Sequence, residues 1–163
     1  MKFLELTEKD LDLYERLVKP HCLEEDFITP AEYKDYLHTL ACFRSWFLVD
    51  ESPGNRRVGW CAAGDPSETM PGAVHFFGGV ILPPFRGRGL SRLLYAHRFS
   101  VFPGRDFTMS VQPRNVIALN LALTHGFRPF LYREPWIELL KRHPLSEPET
   151  RDAETSAPAP VRR

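Results

Sequence analysis

The stretch from Val80 to Leu94 constrains the fold of this chain more than any other part of the sequence. An apolar strand runs into a turn rich in Arg and Gly, and the turn opens directly onto a leucine-rich helix. The first turn of a helix leaves backbone N–H groups without partners, and the helix dipole adds about half a positive charge at the same end. Glycines let a ligand approach the main chain closely, and arginines add full charges. The order therefore predicts a phosphate or pyrophosphate site. Its expected members are Arg86, Gly87, Arg88, Gly89, Leu90, Ser91 and Arg92.

The spacing of the turn decides which phosphate ligand is expected. A nucleotide P-loop requires a Lys that this turn lacks, and a dinucleotide fingerprint requires a third Gly where Arg92 stands. The pattern Arg86-x-x-Gly89-x-Ser91 resembles the Arg/Gln-x-x-Gly-x-Gly/Ala signature of the GNAT superfamily of N-acyltransferases, which bind the pyrophosphate of coenzyme A. Ser91 departs mildly from that signature. A basic surface turn is the alternative interpretation.

A second segment strengthens the resemblance. Val111–Ala118 leads on to Gly126-Phe127, and this order is similar to the late GNAT element of strand, Asn-x-x-Ala on a helix, and Gly-Phe at the next strand. In the family the Asn side chain helps to hold the CoA arm, and that role falls on Asn115. Asn115 is also a natural helix N-cap, and the two roles are compatible. The resemblance covers most of residues 1–142.

Hydrophobic periodicity and turn residues predict the order β-α-α-β-β-β-α-β-α-β-β. The strands are expected at 2–6, 46–49, 57–63, 73–82, 107–111, 127–132 and 135–141, and the helices from Leu11 to before Pro20, from Thr29 to about Cys42, from Gly89 to about Ser100 and over Asn115–His125. This is the order of the GNAT fold. The resemblance implies an α+β, GNAT-type protein with a mixed, mostly antiparallel central sheet flanked by about four helices.

Composition sets the broad limits. The 163 residues suit a single domain over 1–142, followed by a disordered tail rich in Pro, Glu and Thr over 143–163. The 21 basic and 21 acidic residues balance, so nothing global suggests nucleic acid, and no apolar run is long enough to span a bilayer. Cys22, Cys42 and Cys61 lack metal-ligand spacing, which favours reduced thiols in a cytoplasmic protein without a metal. The sequence leaves a homodimer open.

The strand before the turn contains Gly78-Gly79. Glycine inside a strand often marks a bulge or a close backbone approach. Members of the resembled family bulge this strand, which splays from its neighbour, and the pantetheine arm lies in the gap. The resemblance assigns this role to Gly79, Val80 and Ile81. An ordinary core strand with a kink is the alternative.

The resemblance implies transfer of an acetyl group from acetyl-CoA to a primary amine, on a small molecule or a side chain, by direct transfer in a ternary complex. A lysine-like amine has a pKa of about 10.4, so holding it neutral at pH 7 costs roughly 4–5 kcal/mol, and a base is useful. His75 is the expected catalytic base, because arylalkylamine acetyltransferases carry a histidine equally far before the motif Arg. Alternation would place it on the face of Phe77, Gly79 and Ile81. A His packed against aromatic rings is the alternative.

Two family features are missing. Ala122 stands where many members place a Tyr that protonates the leaving thiolate, and Ser110 stands where peptide N-terminal acetyltransferases place a Glu. Thr124, His125 and Tyr132 lie nearby, but no spacing recommends them. These departures favour the alternative of a CoA-binding module without transferase activity. An acyltransferase with a longer acyl group or a hydroxyl acceptor is a further alternative.

The acceptor site is expected between the first two helices. The acidic run Glu24-Glu25-Asp26 could attract a cation or simply be solvated surface. The aromatic residues that could shape a pocket there, or alternatively belong to the core, are Phe27, Tyr33, Trp46 and Trp60.

Overall fold

The computed structural model describes residues 1–22, 27–40, 42–65 and 70–144. The strands are β1 (Lys2–Glu5), β2 (Arg44–Asp50), β3 (Arg56–Gly64), β4 (Val74–Ile81), β5 (Phe107–Val111), β6 (Arg128–Arg133) and β7 (Trp136–Lys141), and the helices are α1 (Leu11–Val18), α2 (Pro30–Thr39), α3 (Ser91–Val101) and α4 (Val116–Thr124). The strands form one sheet in the order β1-β2-β3-β4-β5-β7-β6, and the β4–β5 pair is parallel while the other pairs are antiparallel. The predicted α+β class and element order are confirmed.

Local sequence signals explain where the helices begin and end. Helix α2 begins at a capping box, because Thr29 Oγ1 accepts from the Glu32 N–H at 3.3 Å and Glu32 Oε2 accepts from the Thr29 N–H at 2.8 Å. This helix ends earlier than predicted, since Leu40 takes extended backbone angles. Helix α4 ends at Thr124, and the chain turns away at Gly126, whose φ of 89° suits glycine and allows the Phe127 N–H to donate to the Ala122 carbonyl at 3.1 Å.

Each face of the sheet has its own core cluster. The first core cluster lies on the face of α3 and α4 and includes Phe76, Leu94, Phe107 and Phe127. The second core cluster lies on the face of α1 and α2, and its described members come from these helices, β2, β3, β4 and the adjoining loops. Three of the aromatic residues considered for an acceptor pocket, Tyr33, Trp46 and Trp60, are at most 3% exposed and belong to these cores.

The sheet opens between β4 and β5. Their ladder contains only the pairs Val74–Phe107 and His75–Thr108, and both strands continue beyond it without pairing to each other. On its other side β4 stays paired with β3 up to Ile81. The sheet is therefore split along its centre from His75 towards the Arg/Gly turn.

A β-bulge accompanies the split, as the glycine pair predicted. The β3–β4 register moves from Ala62–Gly78 to Gly64–His75, which places one extra residue on β4. The expectation that His75 shares a face with Gly79 and Ile81 is wrong for this reason. His75 and Phe77 lie on the α2 side, whereas a Cβ on Gly79 would meet Leu94 and Arg98 of α3, and Ile81 packs on the first core cluster.

Two predicted features lie outside the residues that the structure describes. The acidic run at 24–26 and residues 145–163 of the predicted tail fall outside the described residues, so the domain boundary at 142 stays a prediction. Within the described ranges, no helix is long and apolar enough to cross a membrane.

Candidate functional site

The Arg/Gly turn lies at the surface and leads into α3. Pro83–Phe85 form a short 3-10 turn, and the backbone then adopts positive φ angles of 75° at Gly87 and 72° at Gly89. A Cβ on either glycine would meet nothing within 4 Å, so both are needed for their backbone conformation and leave open space above the main chain. The segment from Arg86 to Gly89 is exposed.

The main chain of this turn carries a run of unused donors. The backbone N–H groups of Gly87, Arg88, Gly89, Leu90 and Ser91 donate no hydrogen bond to any residue that the structure describes. The first intrahelical bonds follow immediately, from Arg92 to the Gly89 carbonyl at 3.1 Å and from Leu93 to the Leu90 carbonyl at 3.0 Å. Consecutive free N–H groups at a helix N-terminus form a concave anion-binding site.

The arginines reinforce this turn in two ways. Arg86 Nε donates to the Ile81 carbonyl at 2.9 Å, and Arg88 Nη2 donates to the Pro84 carbonyl at 3.3 Å, so both guanidinium groups brace the turn. Arg86, Arg88 and Arg92 all remain exposed. Their charges are therefore available to an anion at the turn.

Asn115 caps α4 at the same end of the sheet. Its Oδ1 accepts from the Ala118 N–H at 3.1 Å, so the predicted N-cap is present. The side-chain amide forms no hydrogen bond within the described chain and can serve a ligand. Beside it, Val116 and Ile117 are 56% and 85% exposed, so the start of α4 presents apolar surface.

The split places the predicted pantetheine-binding residues next to the turn. Gly79, Val80 and Ile81 pair with β3 on one side, and in the described structure no strand pairs with their other edge. Backbone groups on that edge are free to hydrogen-bond an extended ligand as an additional strand would. The unpaired edge leads directly into the anion-binding turn.

A buried arginine, which the sequence did not indicate, supports the bulge. Arg98 of α3 is 2% exposed, and its Nη1 donates to the Gly78 carbonyl at 2.8 Å and to the Ala62 carbonyl at 3.5 Å. Its guanidinium carbon lies 3.8 Å from the ring centre of Phe76. No carboxylate forms an ion pair with it in the described ranges, and burial lowers the pKa of Arg98. Its spacing of four from the buried Leu94 is the signal that could have indicated an inward-facing charge.

Not every leucine of the leucine-rich helix α3 faces the core, since Leu93 is 40% exposed. The buried positions of the helix are Leu94, Tyr95 and Arg98. His97 is half-buried and stacks on Phe3 with ring centres 3.7 Å apart.

His75 lies where the β4–β5 ladder ends. Its Nδ1 is 3.1 Å from Thr108 Oγ1, and its ring is edge-on to Phe77 at 5.0 Å. Burial, with a smaller effect from the positive charge of Arg98, lowers the pKa of His75 to about 4. His75 is therefore neutral at pH 7 and able to accept a proton, although it is a weaker base than an unperturbed imidazole.

A carboxylate that sequence reasoning missed lies on the same face. Glu138 of β7 is 5% exposed and is paired in register with Ser110 of β5. Ser110 Oγ lies 3.0 Å and 2.9 Å from the two carboxylate oxygens. Ser110 was predicted as the position where a family Glu is missing, and the structure supplies a carboxylate there from the neighbouring strand. The signal was a single acidic residue in the apolar run Trp136–Leu140.

The candidates for protonating a thiolate are dispersed. Ala122, which stands at the position of the missing Tyr, is fully buried. Thr124 Oγ1 donates to the Asn120 carbonyl at 2.8 Å, and Tyr132 is 63% exposed. His125 stacks on Tyr95 with ring centres 4.2 Å apart. The Tyr95 hydroxyl, on the α3 side of β5, donates to Met109 Sδ at 3.7 Å.

Tyr132 also lines a surface cavity of about 390 Å³ between the loop before α4 and the β6–β7 turn. In the described ranges, no three His, Cys, Asp or Glu side chains come together as a metal site.

Solved structures share this architecture. A protein from Bacteroides thetaiotaomicron assigned to the GNAT acetyltransferase family superposes with a TM-score of 0.65 at 17% identity, covering 88% of both chains. A chimera of the spermidine N-acetyltransferase SpeG from Vibrio cholerae and hSSAT gives 0.65 at 17% identity, covering 87% of this chain and 96% of that one. A point mutant of SpeG gives 0.65 at 16% identity, covering 87% and 95%. No family model and no curated protein matches the sequence. The chain therefore has the fold of the GNAT acetyltransferases.

Proposed function

We propose that the protein is an N-acyltransferase that moves an acetyl group from acetyl-CoA to a primary amine by direct transfer in a ternary complex. One observation carries the proposal. Among the residues that the structure describes, an exposed turn with five consecutive N–H donors that form no hydrogen bond adjoins the unpaired edge of β4 at a split in the sheet. This combination suits a ligand with a diphosphate at one end and an extended, hydrogen-bonding arm. The fold shared with GNAT acetyltransferases supports it.

In this proposal different residues bind different parts of the cofactor. Gly87, Arg88, Gly89, Leu90 and Ser91 offer main-chain donors to the pyrophosphate, and the arginines at 86, 88 and 92 add charge. Gly79, Val80 and Ile81 hold the pantetheine arm along the open edge of β4, and the free side-chain amide of Asn115 reaches it from α4. The sulfur end then lies within the split.

In this proposal the acceptor approaches from the face of the sheet that carries α1 and α2, where His75 lies. The nitrogen of the acceptor must be neutral to form the new C–N bond, and the C–S bond breaks as the thiolate leaves. His75 is the proposed acceptor of the amine proton, because it is neutral at pH 7 and Thr108 fixes its ring. A thiolate with a pKa near 8.5–9 carries a penalty of only about 2–3 kcal/mol at pH 7, so it can leave without a dedicated acid.

A CoA-binding module without transferase activity is the second candidate. It is favoured by Ala122 at the family's Tyr position and by the lowered pKa of His75, which weakens the proposed base. A longer acyl group or a hydroxyl acceptor remains a variant of the first proposal.

Thiol release distinguishes these functions. The purified protein is incubated with acetyl-CoA and a panel of primary amines and alcohols, and free thiol is followed over time. The transferase proposal expects release that depends on an amine, with acetylated amine formed in equal amount. Tight CoA binding without turnover on any acceptor would instead support the binding module.

A further inference from the structure

We infer that Glu138 and Ser110 bind a positively charged group of the acceptor, and that the preferred acceptor carries this cation in addition to the nitrogen that is acetylated. The inference rests on the proposed transfer reaction and names the class of its second substrate, a compound with two cationic groups. Four observations on this pair support the inference.

The first observation is that Glu138 is buried without a counter-charge. It is 5% exposed, and no Lys, Arg or His of the described residues forms an ion pair with it. Burying a carboxylate without an opposite charge is costly, and glutamates are almost never fully buried unless they are paired. A cationic ligand would supply the missing charge.

The second observation is the spare hydrogen-bonding capacity of the carboxylate. Ser110 is its only hydrogen-bond partner in the described structure, and one hydroxyl carries a single proton for oxygens 3.0 Å and 2.9 Å away. An ionised carboxylate offers about four acceptor positions. Most of them have no hydrogen-bond partner among the described residues, and an ammonium group carries three donors.

The third observation is the position of the pair beside the split. Ser110 follows Thr108 by two residues on β5, so it lies on the same face as the His75–Thr108 contact and about 7 Å further along the strand. Beyond Thr108 the edge of β5 that faces β4 has no described partner strand. A ligand held at Glu138 can therefore reach the opening in which the thioester is proposed to lie.

The fourth observation is access from the acceptor face. The second core cluster, which covers this face over β2, β3 and β4, has no described member from β5, β6 or β7. Ser110 is partly exposed, and Leu131, which pairs with Glu138 from β6, is 41% exposed. The residues on either side of the carboxylate, Ser110 and Leu131, therefore reach solvent on this face, while the carboxylate itself is 5% exposed.

The charge at Glu138 determines which nitrogen it holds. A carboxylate next to an amine favours the ammonium form, which has no lone pair to attack a thioester. Glu138 would therefore slow the reaction of the nitrogen that it touches. It assists only if it anchors a second cation and leaves the reacting nitrogen free near His75, and this reasoning leads to a diamine as the acceptor class.

The test compares 1,4-diaminobutane with n-butylamine, which differ by one terminal amine on the same four-carbon chain. Isothermal titration calorimetry at pH 7, with and without saturating CoA, gives the Kd of 1,4-diaminobutane for the wild type, Glu138→Gln and Glu15→Gln. Glu15 lies on α1 in a surface ion pair with Lys19, so its variant is matched for net charge. We expect Kd to rise at least tenfold in Glu138→Gln and to stay unchanged in Glu15→Gln. A wild type that does not bind the diamine, or equal Kd values in all three proteins, would overturn the inference.

Kinetics provide the second readout. In the wild type kcat/KM is expected to favour 1,4-diaminobutane over n-butylamine at least tenfold, and Glu138→Gln should lose this preference through KM while kcat is kept. A catalytic base would instead lower kcat for both amines, which would contradict an anchoring role. Ser110→Ala keeps the carboxylate but removes its hydroxyl partner, and we expect an intermediate loss of diamine affinity.

The inference and the proposed function can fail separately. Binding of CoA, titrated on its own, and release of thiol test the proposed function. Binding of the diamine tests Glu138 and does not require turnover. The isosteric Gln retains an oxygen for Ser110, and melting curves of each variant verify that the fold is intact.

Discussion

Replacement of Gly89 by Glu should weaken CoA binding strongly, through a backbone effect and a charge effect that can be measured separately. Gly89 has φ = 72°, and no atom lies within 4 Å of a Cβ built there. Any side chain at this position therefore meets the backbone penalty of about 1–2 kcal/mol but no clash. Gly89→Gln has the same penalty and nearly the same shape, so it is the matched control for Gly89→Glu.

The charge difference sets the expected magnitude. A carboxylate about 5 Å from one phosphate charge is repelled by about 1–3 kcal/mol if the effective dielectric constant lies between that of water and that of a protein surface. A value of about 2 kcal/mol corresponds to a roughly thirtyfold weaker Kd, since 1.4 kcal/mol is tenfold. Salt should reduce this difference, because the turn is exposed.

Isothermal titration calorimetry with CoA measures the effect at low and at high ionic strength. We expect Kd to rise modestly in Gly89→Gln and about thirtyfold further in Gly89→Glu, with a smaller ratio between the two variants at high salt. Melting temperatures of the two variants should agree closely. Equal CoA affinity of both variants, with the fold intact, would refute the assignment of the phosphates to this turn.

Three further changes probe the site. Asn115→Asp should keep the hydrogen bond to the Ala118 N–H and the melting temperature, but its CoA affinity, measured by calorimetry, should fall. Asn115→Ala should lose CoA affinity and also about 1 kcal/mol of stability. A normal CoA affinity in Asn115→Asp would limit the role of Asn115 to capping the helix. Burial in the folded protein disfavours protonated His75, so the free energy of unfolding should fall as the pH is lowered from 6.5 to about 4. We expect this fall to be about 2–3 kcal/mol larger in the wild type than in His75→Asn. Urea-unfolding experiments that give the same pH dependence for both proteins would contradict this. Arg98→Met removes a positive charge and should raise the pKa of His75 in an NMR titration, and an unchanged pKa would remove the electrostatic link.

Local patterns predicted most of the scaffold because they depend on neighbouring residues. The capping box of Thr29 and Glu32 fixes the start of α2, and Gly126 fixes the end of α4, since each acts within a single helical turn. The anion-binding turn was predictable for the same reason. Its glycines, its arginines and the start of α3 are contiguous in the sequence.

Features that depend on strand pairing were not predictable from one sequence. The extra residue on β4 is defined only by the register with β3, and it reverses the face of Gly79 and Ile81 relative to His75. Glu138 joins Ser110 only because β7 pairs with β5, although 28 residues separate them along the chain. Periodicity describes one element at a time and does not identify which elements meet.

The buried charge of Arg98 shows a third limit. Helical spacing places it on the inward side of α3, but arginine side chains are mostly exposed in proteins, so its sequence position alone favours a solvated surface residue. The buried guanidinium is accommodated by the carbonyls of Gly78 and Ala62 and by the Phe76 ring, which are brought together by tertiary structure.

A crystal structure of the protein with bound CoA would show which residues hold the pyrophosphate. We expect the pyrophosphate within hydrogen-bonding distance of the N–H groups of Gly87 to Ser91, with the pantetheine arm along β4 from Ile81 to Gly79 and the sulfur atom between β4 and β5. A turn that stays empty while CoA binds elsewhere, or an arm that avoids the opening in the sheet, would contradict it.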